Sequence, residues 1–277
     1  MRTGRSLDSI KVFLFGLWLL SGATNLQAQE NAPVADTIKG AFAAFSTDRL
    51  GNIYAVSQNQ ELIKFDADGR ELFRYSNKTL GRLEQIDASN PFTVLLFYAD
   101  QQTVILLDRT LSERTRLALS TTELGQIEHI ALADDNLIWV FDEADGKLKK
   151  IDPEGNISTE SDDLRQLTRF AVHPDQLLVQ GNLLWLNQPD QGILVFDRRG
   201  RLESILPVKN AFIASILDKK LLVYQDNVWK IYLDEADLGT PLFTRFVITD
   251  TPHSLRVTQN RLVYLDRGQI IRLTLSH

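Results

Sequence analysis

The feature that most constrains this chain is a recurrence. An apolar pentapeptide, often carrying an aromatic, appears as NIYAV (52–56), LIWVF (137–141), LLWLN (183–187), LLVYQ (221–225) and RLVYL (261–265), with VLLFYA (94–99) in the gap after the first. Taking Tyr54, Phe97, Trp139, Trp185, Tyr224 and Tyr264 as equivalents, the steps are 43, 42, 46, 39 and 40 residues. A period near 41 rules out a single folded core with irregular topology. It demands a unit that is repeated and stacked, each copy burying its faces against the next.

Each unit has a second signature. LIKFDADGREL (62–72), LKKIDPEGNI (148–157) and ILVFDRRGRL (193–202) end a strand in Asp and turn through Asp-x-x-Gly: Asp66 with Gly69, Asp152 with Gly155, Asp197 with Gly200. An Asp carboxylate accepts hydrogen bonds from the turn's own N–H groups, and Gly supplies positive φ. VILLDRTLSER (104–114) keeps Asp108 but has Leu111 at the Gly position, and VWKIYLDEADLG (228–239) reads as a longer connection. Sustained helical periods are scarce; runs of four to six β-rich residues separated by Asp, Asn and Gly dominate.

Each repeat thus predicts four strands, the innermost near 41–46, 84–88, 127–132, 168–172, 211–217 and 254–258. The expectation is an all-β, six-bladed β-propeller of four-stranded antiparallel blades. Ile270–Leu275 is the third strand of the last repeat, and the alternation at 33–38 is expected to supply its missing partner and close the ring, removing an exposed sheet edge. The repeated aromatics are expected to be packing between blades, since such rings bury large areas.

Ahead of the repeats, Arg2, Arg5 and Lys11 precede an unbroken apolar run, Val12 to Leu20, and a small-residue stretch ending at Ala28. A basic start, a short apolar core and a small residue at the cut describe a secretory signal peptide. Nine residues of helix rise about 13.5 Å, short of the roughly 30 Å hydrocarbon core, so this is not a membrane span. The domains are then a cleaved signal peptide, 1–28, and one propeller, 29–277, without a membrane span. The absence of cysteine removes disulfides, thiolate metal sites and cysteine nucleophiles, and suits a bacterial periplasmic protein held by packing alone. The whole chain carries a net charge of −6; cleavage leaves 27 basic and 35 acidic residues, or −8, which argues against nucleic acid as a partner.

DRLGNIYAVS followed by ELIKFDADGRELFRY, within 48–75, resembles an NHL-type blade of the kind found in six-bladed propellers. With SNPFTVLLFYADQQTVILLDRTLSE (89–113), the exported chain is similar to cell-envelope propeller proteins of Bacteroidota. That resemblance implies a non-catalytic accessory subunit of envelope assembly or outer-membrane secretion machinery. It would act through protein–protein interaction as a monomer within a complex, in the periplasm or on the periplasmic side of the outer membrane.

Chemistry-bearing residues fall in two places. The predicted inner strands carry Glu84, Asp87, Glu128, His129, Arg169, Ser215 and Arg256, so Glu84, Glu128, His129, Arg169 and Arg256 are candidate channel-lining residues. The irregular connections STESDD (158–163) and DEADLGTP (234–241) make Asp162, Asp163, Asp234 and Glu235 candidate partner-loop residues, because loops on a rigid scaffold are free to carry function. His129, His173, His253 and His277 show no metal-ligand spacing, and GxSxG, Walker and GxGxxG patterns are absent. No catalytic residue and no cofactor are expected. The alternative is a calcium-dependent, lactonase-like hydrolase, which requires Glu84 and Glu128 to converge with an Asn or Asp at the channel mouth, since Ca²⁺ takes six to eight oxygens. A second alternative is a binder of a small ligand or glycan in the channel.

The signal-peptide reading has a direct check. Intact-mass measurement of the protein from the cell envelope is expected to place its first residue at Gln29; recovery of a chain still carrying residues 1–28 would overturn it.

Overall fold

The computed structural model describes residues 35–217, 220–225, 228–232, 242–243, 255–257 and 261–274. Among these, the strands form six four-stranded antiparallel sheets, arranged as an all-β propeller. Five blades use four consecutive strands each. Blade one holds β2–β5 (Phe42–Thr47, Ile53–Ser57, Glu61–Phe65, Glu71–Ser76) and blade two β6–β9 (Gln85–Asn90, Thr93–Tyr98, Thr103–Asp108, Glu113–Ala118). Blade three holds β10–β13 (Ile127–Leu132, Ile138–Asp142, Lys147–Ile151, Ile157–Glu160) and blade four β14–β17 (Gln176–Gln180, Leu183–Gln188, Gly192–Asp197, Leu202–Leu206). Blade five holds β18–β21 (Ala211–Leu217, Lys220–Gln225, Val228–Tyr232, Leu242–Phe243). A closing sheet joins β22–β24 (Leu255–Val257, Arg261–Asp266, Gln269–Thr274) to β1 (Ala35–Ile38).

The expected ring closure is present, in register Ala35 with Leu273, Asp36 with Arg272, Thr37 with Ile271 and Ile38 with Ile270. The signal-peptide segment, 1–28, lies outside the described residues. No helix among the described residues is long and apolar enough to cross a membrane.

The core is layered. Each of six apolar clusters is shared by two adjacent sheets: Leu95 and Phe97 with Ile130 and Val140 between blades two and three, Trp139 and Leu148 with Leu184 and Phe196 between three and four. Ile38 and Ile270 with Phe45 and Phe65 form the layer where the closing sheet meets blade one. A β-strand points alternate side chains to opposite faces, so a sheet buried on both sides reads as a continuous apolar run; β7, TVLLFY, and β11, IWVFD, are such runs.

The Asp-x-x-Gly turns form as their chemistry requires. Asp66 Oδ1 accepts from Asp68 N (2.9 Å) and Arg70 N (2.8 Å), Asp152 from Glu154 N (3.0 Å) and Asn156 N (2.8 Å), and Asp197 from Arg199 N (2.8 Å) and Arg201 N (3.0 Å). Asp108 makes the same turn with Leu111 at φ 60°. A left-handed non-glycine residue costs roughly 1–2 kcal/mol. Leu111 is buried in the layer between blades one and two, and burying a Leu side chain stabilises by about 1.5–3 kcal/mol, enough to offset it.

These turns also join sheets. Lys64, on the third strand of blade one, donates to the Arg109 carbonyl in blade two (2.8 Å), and Arg272, on the third strand of the closing sheet, donates to the Ala67 carbonyl in blade one (2.7 Å). Both acceptors are the residue directly after a turn Asp. Arg272 additionally reaches the Asp68 carbonyl (3.0 Å) and the Asp36 carboxylate.

Two sequence expectations need correction. The fourth inner strand is not at 168–172 but at Gln176–Gln180. Asp163 caps a short helix, α1 (Leu164–Thr168), by accepting from Arg165 N, and Arg169 ends it in the left-handed region, so the chain reaches the channel one loop later. Second, Phe97 is not the equivalent of Tyr54. Counted back from the turn Asp, the residue paired two positions before it faces Tyr54 in blade one, Leu95 in two, Trp139 in three and Trp185 in four. Tyr54, Leu95, Phe97, Trp139 and Trp185 are all buried.

The closure latch yields a prediction. The Arg272 side chain is 7% exposed while Asp36 is 62% exposed, so the two backbone carbonyls, not the exposed carboxylate, carry the stabilisation. Arg272→Met is expected to cost about 2–3 kcal/mol, from lost charge-assisted hydrogen bonds and the loss of the Asp68 carbonyl's donor, the Ala67 carbonyl keeping Arg261. Asp36→Asn is expected to cost under about 1 kcal/mol. Equilibrium denaturation in urea measures both.

Candidate functional site in the central channel

All six sheets contribute to one cavity of about 310 Å³ on the ring axis. Its wall takes Phe45 from β2, Gln85 and Ile86 from β6, His129 from β10, Gln176 to Leu178 from β14, Phe212 from β18 and Arg256 from β22, with Glu84 and Asp175 just ahead of their strands. Consecutive inner strands touch from blade one round to the closing sheet, so neighbouring blades present neighbouring side chains.

Much of the wall's polarity is engaged in holding blades together. Inner strands leave backbone groups on the channel side that no strand pairs, and buried backbone groups require partners. The Gln85 amide donates to the Ile130 carbonyl (2.5 Å) and accepts from the Ile130 N–H (3.3 Å). Gln176 repeats this with Ile213, at 3.1 and 2.8 Å. Both targets lie where the inner strand slips register against its neighbour, which frees those peptide groups. Asp87 accepts from Leu132 N (2.8 Å) and Ser89 N (2.9 Å), and Ser215 donates to the Val257 carbonyl (3.2 Å).

Of the sequence candidates, Glu84, His129 and Arg256 come together in the cavity. Glu84 is exposed and ion-paired with Arg82 (3.3 Å). His129 is half-buried; burial holds its imidazole below the ordinary value of 6.5, against the opposing pull of Glu128, the Pro174 carbonyl, Glu143 and Glu84. Arg256 lies in the wall with its guanidinium 6.0 Å from the Phe45 ring, donating to its neighbour's carbonyl, Leu255 O (2.8 Å). Surrounding protein pulls it down to about 10, with Asp87 opposing.

Glu128 and Arg169 do not line the cavity. Glu128 is an exposed residue of β10, and Arg169 is the exposed C-cap of α1. Of the partner-loop residues, Asp163 is spent on α1 and on Arg165 (2.9 Å), Asp162 is exposed beside it, and Asp234 and Glu235 lie outside the described residues. The residue that sequence reasoning missed is Asp175. Its carboxylate accepts from Asn187 Nδ2 (2.7 Å), and it is reachable by solvent, yet crowding protein raises its pKa above the ordinary carboxylate value. The signal was available in blade four's inner strand, QLLVQ, once that strand is placed correctly.

No group of three or more His, Asp or Glu side chains among the described residues is arranged to hold a metal ion.

No protein-family profile matches the chain, and no curated protein matches it in sequence. Solved structures match in fold. A streptogramin B lyase shares 14% identity, with a TM-score of 0.62 over 88% of this chain and 98% of that one. Virginiamycin B lyase from Staphylococcus aureus shares 13%, with a TM-score of 0.60 over 88% and 99%. The C-terminal WD40 domain of Sif2 shares 13%, with a TM-score of 0.52 over 85% and 82%. Identities this low establish the propeller fold alone, on scaffolds that serve both enzymes and other proteins.

His129 sets a pH dependence. Its folded value is depressed, so the unfolded chain binds the proton more readily; the stability it contributes is present above 6.5 and is lost as pH falls through the folded value. The urea midpoint is expected to fall between pH 7.5 and 5.5, with a shallower fall in His129→Gln. Identical slopes in both proteins would refute this.

Proposed function

We propose that the chain is a non-catalytic, exported interaction module: a six-bladed ring, counting the closing sheet as the sixth blade, that docks an envelope or outer-membrane protein. The observation that carries this reading is a pair of side chains. Leu50 and Phe92 are 62% and 56% exposed, and each stands on the turn between the inner and second strands of adjacent blades. Equivalent turns emerge on one face of the ring.

Both turns are held rigid by the chain itself. Asp48 accepts from Leu50 N (2.9 Å), Asn52 N (2.9 Å) and the Tyr54 hydroxyl (3.0 Å), with Gly51 at φ 82°. Asn90 accepts from Phe92 N (2.9 Å) and donates to Asn136 Oδ1 (3.1 Å) on the matching turn of blade three. Apolar side chains carried on a backbone already held in place cost no backbone ordering on binding, which favours a docking face over incidental exposure.

The channel supports the same reading. Gln85, Gln176, Asp87 and Ser215 are engaged in joining blades. The calcium hydrolase alternative needs Glu84 and Glu128 in one site, and Glu128 does not line the cavity. The basic-apolar-small start, the lack of cysteine and the mature charge of −8 support the periplasm or the periplasmic side of the outer membrane.

Cross-linking in intact cells, followed by mass spectrometry, is expected to recover one reproducible envelope protein. The double variant Leu50→Asp/Phe92→Asp is expected to reduce that recovery at least tenfold, and Leu72→Asp on the outer strand to leave it unchanged. Wild-type protein recovered without any reproducible partner defeats the proposal.

A further inference from the structure

The cavity wall has an order that its structural hydrogen bonds do not explain. Among its lining residues, Asp175 of blade four, Phe212 of blade five, Arg256 of the closing sheet and Phe45 of blade one succeed one another round the ring. Charge, ring, charge, ring therefore occupy one continuous arc.

The two charges on this arc are poorly compensated. The hydrogen bond Arg256 makes goes to a backbone carbonyl, and the acid whose field it feels, Asp87, already accepts from two N–H groups. Asp175 has a neutral amide for its side-chain partner. Arg256 is drawn into the protein without an ionic partner, which is costly, and a ligand carboxylate recovers that cost; Asp175 is exposed at the same cavity and open to a ligand's ammonium. The Phe45 ring lies 6.0 Å from the guanidinium and offers an apolar bed beside it, and Phe212 lines the same cavity. The other channel groups, Glu84 and His129, lie on blades two and three, and Glu84 is already paired with Arg82.

The geometry points to a binding site for a small amphoteric molecule, an aromatic amino acid or a short peptide ending in one. Its carboxylate would pair with Arg256, its ammonium with Asp175, and its ring would lie against Phe212 or Phe45. An Arg guanidinium matches a carboxylate with two parallel N–H donors, which a backbone carbonyl cannot satisfy. A cavity of about 310 Å³ lies at the lower end of the range for small-molecule sites. The site is separate from the Leu50 and Phe92 face, so either proposal can fail without the other.

Isothermal titration of the mature protein with phenylalanine, Ala-Phe and Ala-Ala-Phe tests it. One member of the series is expected to bind, its C-terminal amide and its N-acetyl form each at least tenfold more weakly. Arg256→Gln is expected to weaken the free acid at least tenfold while leaving the amide unchanged, and Arg256→Lys to retain part of the affinity. Circular dichroism and a urea midpoint confirm that each variant is folded. Absence of binding by all three probes at 10 mM overturns the proposal, as does an amide that binds as well as its acid.

Discussion

The unpaired edge of the inner strand is the constraint on which the rest of this ring depends. Strands pair sideways, and a sheet standing radially around an axis leaves its innermost backbone groups without a neighbour. Here side chains from the preceding blade make up the deficit. Gln85 reaches Ile130, Asp87 reaches Leu132 and Gln176 reaches Ile213. The first two bonds span the same 45 residues, so one repeat length separates donor from acceptor. Blade spacing, strand slippage and channel polarity are thereby aspects of a single solution. The apolar layers press sheets together without direction, whereas these amides specify which residue of one blade meets which residue of the next.

Chemical variety in the channel follows from that division of labour. Where a blade supplies Gln or Asp to its neighbour, the wall is already satisfied. The closing sheet places Arg256 at the wall, and blades five and one place Phe212 and Phe45. On the arc from blade four to blade one, Gln176 and Ser215 still act as struts, and Arg256 is the charged wall residue among them.

The architecture was largely legible in the sequence because its signals are local. An Asp that binds its own turn and a Gly at positive φ leave a mark within four residues, and so do apolar runs buried on both faces. The partner of the N-terminal alternation was legible too, since one repeat had three strands. Placement failed where locality failed. At 168–172 the chain offers a plausible strand, but Asp163 diverts it into a helical turn, and the true inner strand carries its key residue, Gln176, as a polar group that looks like surface. Phe97 was misaligned because an aromatic is conspicuous, whereas register is set by distance from Asp108. Asp175 was hidden by the misplaced strand that follows it, and the Gln85–Ile130 contacts by distance, since they join residues 45 positions apart with no composition signature. Of the candidate channel residues, those on correctly placed strands or beside them, Glu84, His129 and Arg256, reached the cavity. Arg169 did not, because its strand was misplaced. Glu128 did not, because neighbouring positions on a strand face opposite ways.

The closing sheet has a consequence for how the molecule comes into being. Its first strand begins at residue 35 and its partner ends at 274, so nearly the entire polypeptide lies between the two halves of one hydrogen-bonded ladder. Contacts so distant in sequence pay a loop-closure entropy that local hairpins do not. A chain emerging N-terminus first has β1 in hand from the outset and nothing to pair it with until the last hairpin arrives. The blades are built in order, but the circle is sealed by its two ends together, and Arg272 fastens the seam to blade one only at that moment.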